Sequence, residues 1–98
     1  MRVVWAPLAI ERAVEQAKFI AEDKPEAAHR CLGDLFTSVA NLSKLPQLGR
    51  QVPELGRADL RELDIRGYRV IYRLEKRQVS ILTVRHGRRL FDSSEVGG

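Results

Sequence analysis

The pattern of apolar and polar positions predicts different elements in the two halves of the chain. Residues 8–22 and 25–42 place apolar side chains three and four positions apart, the spacing of an amphipathic helix. Residues 60–65, 68–74 and 79–84 instead alternate apolar and polar side chains, which is typical of β-strands. The sequence therefore predicts a helical half followed by a three-stranded half.

The helical half opens with a short apolar run at 2–5, which predicts one more strand. Pro7 and Pro25 each suit the first turn of a helix, and the break between the two helices is very short. Helices joined this closely must be antiparallel neighbours, so the pair forms a helical hairpin that can cover one sheet face. The apolar positions are Ile10, Ala13, Val14, Ala17, Ile20 and Ala21 on the first helix and Ala28, Cys31 or Leu32, Leu35, Val39 and Leu42 on the second.

In the strand half, Arg66-Gly67 and the polar block 75–78 predict two tight turns between the three strands. Alternation along each strand assigns its side chains to opposite faces of the sheet. The groups are Arg61, Leu63 and Ile65 against Leu60, Glu62 and Asp64; Tyr68, Val70 and Tyr72 against Arg69, Ile71 and Arg73; and Val79, Ile81 and Thr83 against Ser80, Leu82 and Val84.

These elements predict one α+β domain over residues 1–98. It has an N-terminal strand and an antiparallel helical hairpin packed on a mostly antiparallel four-stranded sheet. Residues 45–59 contain four Pro or Gly positions and are expected to form a long loop. A loop of this length in a small domain is usually functional or packed on itself, and Val52 and Leu55 are suited to anchor it.

Composition restricts the compartment and the cofactors. No apolar run reaches the length of about 18 residues that suggests a membrane span, and the N-terminus lacks the apolar region of a secretory signal. A single cysteine cannot form an internal disulfide or a Cys-rich metal site, which fits a reducing cytoplasm. We therefore expect a cytoplasmic protein without a membrane contact, a metal or a cofactor.

The charge indicates the kind of partner. The formal net charge is +4, and ten arginines and one lysine follow position 49, against seven acidic residues. A positive excess attracts anionic partners such as nucleic acid or an acidic protein. Arginine also favours bidentate contacts to carboxylate and phosphate.

Arg69 and Arg73 share one strand face and are candidates for binding such a partner. With Arg61 they could hold a phosphate or an acidic peptide. Alternatively, they are solvated sheet charges whose partners are Glu62 or Asp64.

His86 is a second candidate, because it follows Arg85 and precedes Arg88 and Arg89. Neighbouring cations favour neutral imidazole, which can act as a base. The alternative is a structural histidine that caps the end of a strand. Tyr68 and Tyr72 could likewise stack on bases or belong to the core.

Several segments together resemble the RelE/ParE superfamily of toxins from type II toxin–antitoxin modules, over nearly the whole chain. The fold expected above is similar to the fold of that superfamily. The matching segments are Trp5 with Pro7 and Ala9, 25–28, LPQLGR at 45–50, VPEL at 52–55, LREL at 60–63, YRVIYR at 68–73 and TVRHGRR at 83–89.

The resemblance implies one of two activities. ParE-like members resemble inhibitors of DNA gyrase, whereas RelE-like members resemble ribosome-dependent mRNA endonucleases that use basic residues and often a C-terminal tyrosine. Residues 51–59 contain no lysine and no tyrosine follows Arg89, so the ParE-like branch is favoured and an enzyme is not assumed. The nuclease alternative would use Arg69, His86 and Arg88, and a third possibility is a toxin fold that has lost toxicity.

A ParE-like toxin implies a cognate antitoxin with an acidic or amphipathic segment, in a toxin–antitoxin hetero-oligomer. DNA gyrase is then the expected target, with the ribosome and mRNA as the alternative. The residues expected to bind the antitoxin or the target are Arg61, Arg69, Arg73, Arg85, His86, Arg88 and Arg89.

Overall fold

Two helices and a five-stranded sheet form the fold in residues 1–86, the part of the chain that this computed structural model describes. The sheet order is β1-β5-β4-β3-β2, with β1 parallel to β5 and the other neighbours antiparallel. The predicted α+β class is confirmed. The elements are β1 (Arg2–Trp5), α1 (Pro7–Ala21), α2 (Pro25–Ala40), a 3-10 turn (Asn41–Ser43), β2 (Arg50–Gln51), β3 (Leu60–Ile65), β4 (Tyr68–Leu74) and β5 (Gln78–His86).

The predicted four-stranded sheet has a fifth strand, because β2 forms inside the segment expected to be loop. Arg50 and Gln51 pair with Glu62 and Arg61 at the edge of the sheet. Two polar residues give no alternating pattern, so the sequence does not predict this strand. Its effect is to place Arg50 beside Glu62.

The helical hairpin covers one sheet face, which we call the helix-covered face. α2 buries Ala28, Leu35 and Val39 as predicted. α1 differs, because it buries Ala9 and Ala13 while Ile10 is 48% exposed and Val14 is 42% exposed. The small side chains of Ala9 and Ala13 let α1 approach the sheet closely. Because this side of the helix faces the sheet, the larger residues of the predicted apolar stripe face solvent.

The core beneath the hairpin contains one of the two faces predicted for β4, that of Tyr68, Val70 and Tyr72. Val70 and Tyr72 are fully buried there. The alternation predicted for β5 is wrong from Thr83 onward. Tyr72 pairs with Ile81 and Ile71 pairs with Thr83, so Leu82 is an extra residue that forms a bulge. Thr83 therefore shares the face of Ile71 and not the face of Ile81.

Candidate functional site

The face of the sheet away from the hairpin, which we call the outer face, holds the arginines of β4. A small apolar cluster of Val52, Leu60 and Ile71 lies at its centre, and residues 52–59 fold over this cluster. The Val52 N–H donates to the Leu60 carbonyl at 3.2 Å, which returns the loop to the sheet. The predicted loop is therefore packed, with Val52 as its anchor.

Four charged residues contact one another on this face, and we call them the charged network: Arg50, Glu54, Glu62 and Arg69. Arg69 binds both acids of the network. Its Nη1 and Nη2 atoms donate to the two carboxylate oxygens of Glu54 at 2.7 and 2.9 Å. Its Nε donates to Glu62 Oε2 at 2.6 Å, and Arg50 Nε donates to Glu62 Oε1 at 2.7 Å. Both acids therefore bind the arginine that the sequence suggested for an external anion.

Burial differs between the two carboxylates of the network. The Glu62 side chain is 3% exposed, whereas the Glu54 side chain is 41% exposed. Hydrogen bonds from Arg69 lower the pKa of Glu54 to about 2, so the pair is ionised at neutral pH. The same contacts, first those with Glu54 and then those with Glu62, raise the pKa of Arg69 above its ordinary value.

A second group of charges lies beside the network, where the loop meets the end of β3. Arg57 donates to both oxygens of Asp59 at 3.1 and 2.8 Å, and Arg73 Nε lies 3.9 Å from Asp59 Oδ2. The Arg57 hydrogen bonds lower the pKa of Asp59. These contacts pair Arg73 with a carboxylate that the sequence analysis had not proposed.

The outer face between positions 50 and 73 is therefore close to neutral. Four arginines lie among four acidic side chains, and Arg85 lies opposite Arg69 on β5. A cleft of about 350 Å³ opens over the network. The cleft is lined by Arg50, Pro53, Glu54, Glu62, Asp64 and Arg69.

Arg61 does not join Arg69 and Arg73, because it pairs with Tyr72 and lies on the helix-covered side. Its Nη1 donates to the Gly49 carbonyl at 2.8 Å. The Tyr72 hydroxyl accepts the Gly49 N–H at 2.8 Å and donates to the Pro46 carbonyl at 2.9 Å. Arg61 and Tyr72 thus fix the LPQLGR segment, and the predicted grouping of Arg61 with the outer-face arginines is wrong.

Position 49 of this segment requires a glycine, because there is no room for a side chain. A Cβ at position 49 would lie 2.5 Å from the Glu62 carbonyl oxygen and 2.7 Å from the Tyr72 hydroxyl. Tyr72 is fully buried, and burial raises its pKa. Stacking of Tyr72 on a base is therefore excluded, and its core role is confirmed.

His86 lies on the helix-covered side of the sheet, because it pairs with Tyr68 while Arg69 pairs with Arg85. The rings of His86 and Tyr68 meet edge to face with centroids 5.4 Å apart. Both line a cavity of about 570 Å³ near the end of α1. Its other lining residues are Gln16, Phe19, Ile20, Glu22, Asp23 and Lys24.

The predicted site residues therefore do not form one constellation. Arg69, Arg73 and Arg85 share the outer face, whereas Arg61 and His86 lie on the other side. Arg88 and Arg89 lie outside the described residues. The alternative in which Glu62 is a local partner of Arg69 is confirmed. Glu54 lies in a loop without periodicity, so no sequence signal identifies it.

The described residues 1–86 contain no helix that is long and apolar enough to cross a membrane. The same residues contain no group of three or more His, Cys, Asp or Glu side chains arranged to hold a metal ion.

Comparison with known proteins relates this fold to toxins. Residues 3–91 match the model of the ParE toxin family, described as the toxin of the type II toxin–antitoxin system parDE. Y4kP of Sinorhizobium fredii (strain NBRC 101917 / NGR234), whose name classes it with the toxins, is 35% identical over 85 residues, which are 87% of this chain and 86% of the relative.

The solved structures show the same fold at lower identity. A chain of a chromosomal ParDE toxin–antitoxin system from P. aeruginosa is similar with a TM-score of 0.75 and 18% identity. The similarity covers 88% of this chain and 95% of that one. From the family match over residues 3–91, this chain belongs to the ParE toxin family of type II toxin–antitoxin systems.

Proposed function

We propose that this toxin acts in the cytoplasm by binding DNA gyrase and stalling it on cleaved DNA, and that a cognate antitoxin neutralises it in a hetero-oligomer. The family match over residues 3–91 carries the proposal. Binding of this kind needs a complementary surface and does not need a catalytic group of the toxin.

The geometry of the sheet supports binding over RNA cleavage. A base and a cation that act on one scissile phosphate must both reach that phosphate. Arg69 and His86 extend from opposite faces of the sheet, and Arg69 is held by two carboxylates. These two members of the nuclease alternative therefore do not converge.

The surface of the hairpin supports a protein partner. Ile10, Val14 and Phe36 are each more than 40% exposed, and Phe19 is 72% exposed. Ile10 and Val14 are one helical turn apart and share a side of α1, whereas Phe19 lies on the opposite side of that helix from Ile10. Neighbouring exposed apolar side chains such as Ile10 and Val14 are typical of an interaction surface. We propose that an amphipathic segment of the antitoxin covers part of this surface, while acidic side chains contact Arg69, Arg73 and Arg85.

DNA supercoiling and DNA cleavage by purified gyrase, measured while this toxin is titrated in, test the proposed target. We expect loss of supercoiling and accumulation of cleaved DNA, both reversed by the antitoxin encoded beside the toxin. Unchanged gyrase activity at saturating toxin would contradict the proposal. Translation-dependent cleavage of mRNA on ribosomes would then identify the nuclease alternative, and growth without antitoxin would identify a toxin that has lost activity.

Charge removal tests the proposed antitoxin contacts. Arg73→Ala and Arg85→Ala should each weaken antitoxin binding, by about two- to fivefold if each contact is a partly exposed ion pair. Arg77→Ala is the matched control, because Arg77 is exposed in the turn between β4 and β5, outside the hairpin and outside the strand positions proposed to bind the antitoxin. Equal antitoxin affinity for the control and the two outer-face variants would remove these arginines from the interface.

A further inference from the structure

Arg69 is a preorganised anion site that is already occupied. Its side chain is 14% exposed, and its Nε atom donates to one carboxylate oxygen of Glu62. Arg50 binds the other oxygen of that carboxylate. A guanidinium held in this way presents its remaining N–H groups in a defined direction. Those groups point to the carboxylate of Glu54.

Glu54 is the more exchangeable of the two acids that bind Arg69. It lies in the loop over the outer face, and its side chain is 41% exposed whereas that of Glu62 is 3% exposed. The neighbouring Leu55 and Gly56 N–H groups donate to the Val52 carbonyl at 3.2 Å. These hydrogen bonds hold the backbone of the turn, so Glu54 can leave Arg69 by rotation of its exposed side chain while Glu62 stays buried.

We propose that Glu54 occupies the position on Arg69 that a carboxylate side chain of the antitoxin takes in the complex. This inference rests on the proposed function, because it assumes that the antitoxin binds the outer face. Binding then exchanges one carboxylate for another, so Arg69 keeps its hydrogen bonds and the total charge beside it is unchanged. The released Glu54 side chain regains rotamer freedom, which offsets part of the cost of ordering the antitoxin.

The charges around the cleft favour a single carboxylate over a phosphate backbone. Glu62 remains under Arg69, and Asp64 lines the same cleft of about 350 Å³. These acids repel the multiple negative charges of nucleic acid, whereas a one-for-one exchange adds no net charge. The partner chemistry that fits is therefore an acidic peptide with one side chain placed in the cleft over Arg69.

Calorimetric titration of the antitoxin into the wild type and into Glu54→Gln tests the exchange. Removing the internal competitor should strengthen antitoxin binding by about two- to fivefold, the range of a partly exposed ion pair. Glu75→Gln is the matched control, because it makes the same charge change in the turn between β4 and β5, outside both the hairpin and the cleft. Equal affinities of the two variants, or weaker binding by Glu54→Gln, would overturn the proposal.

A second measurement needs no substitution. Carboxyl NMR of labelled toxin should show Glu54 titrating at low pH in the free protein and near its ordinary pKa, about 4.3, in the complex. A Glu54 carboxyl that stays depressed in the complex would overturn the exchange. This failure differs from failure of the proposed function, in which the wild-type toxin binds no antitoxin or leaves gyrase unaffected.

Discussion

On the helix-covered face, Val70, Tyr72 and Ile81 are fully buried beneath the hairpin. On the outer face the buried Glu62 forms an ion pair with the half-buried Arg69. The first arrangement removes apolar surface from water and does not depend on one partner. The second depends on each charge having its counterpart, since a buried charge without one is costly. The same strand, β4, therefore contributes to two cores of different chemistry.

This difference indicates which side of the sheet can change. In a close-packed core, one apolar contact cannot be replaced by another without loss of stability, because each removed side chain leaves a cavity. An ion pair at the surface can exchange one carboxylate for another with little change in energy. We therefore expect the helix-covered face to contribute most of the apolar packing that stabilises the fold. On the outer face, we expect the contact between Glu54 and Arg69 to change when a partner binds.

Glu62→Gln tests how much the ion pairs of the outer face contribute to folding stability, and it has the largest expected effect. The substitution removes the buried charge that binds both Arg50 and Arg69. We expect a loss of about 3 kcal/mol in the free energy of unfolding, as for a broken buried ion pair. Urea unfolding measures it, with Glu15→Gln as the control for an exposed pair. A loss below about 1 kcal/mol would show that Glu62 contributes no more than a surface carboxylate.

Much of this arrangement follows from periodicity in the sequence. Alternation in 68–74 gives the correct faces for Val70, Ile71 and Arg69, because a strand without an irregularity has a period of two. The bulge at Leu82 breaks that period, and nothing in the residue types marks it. The same analysis therefore gives the correct faces for β4 and the wrong face for Thr83.

The candidate site is less predictable, because charge counts contain no information on pairing. The excess of arginine after position 49 suggested a basic surface, yet Arg69 is paired with a loop residue fifteen positions away. Only the folded path of 52–59 brings Glu54 to Arg69. Arg61 was predicted to act with Arg69 and Arg73, but it lies on the opposite, helix-covered face. Alternation had already grouped it with Leu63 and Ile65, which lie on that face.

Gly49→Ala tests the LPQLGR segment, which leads from the 3-10 turn to β2. The added methyl group would meet the Glu62 carbonyl oxygen and the Tyr72 hydroxyl. We expect a loss of about 2–3 kcal/mol in unfolding free energy, as for overpacking of a core. Gly33→Ala is the control, since its Cβ would have no neighbour within 4 Å, and it should stabilise α2 by up to about 1 kcal/mol. Similar midpoints for the two variants in urea would contradict the close approach at Gly49.

Tyr72→Phe separates hydrogen bonding from packing on the helix-covered face. The ring remains, but the Gly49 N–H and the Pro46 carbonyl lose their partner. We expect a loss of about 2 kcal/mol, the cost of leaving buried polar groups unsatisfied. Tyr68→Phe, at a half-buried position outside this contact, should change stability by less than about 0.5 kcal/mol. Thermal unfolding of both variants compares them, and an unchanged Tyr72→Phe would mean that water replaces the hydroxyl.

Glu54→Gln has the smallest expected effect on stability and gives the clearest pH signature. The native pKa of Glu54 is lowered to about 2, so its contribution is present above the unfolded pKa and is lost as pH falls toward about 2. Because its side chain is largely solvent-accessible, we expect less than about 1 kcal/mol at neutral pH. Urea unfolding of the wild type and the variant between about pH 7 and pH 2 should show that the difference shrinks with acid, mainly below the ordinary pKa of about 4.3. A difference that stays constant over this range would mean that the Glu54 carboxylate does not bind Arg69 in the free toxin, and Glu62 would then hold Arg69 without Glu54.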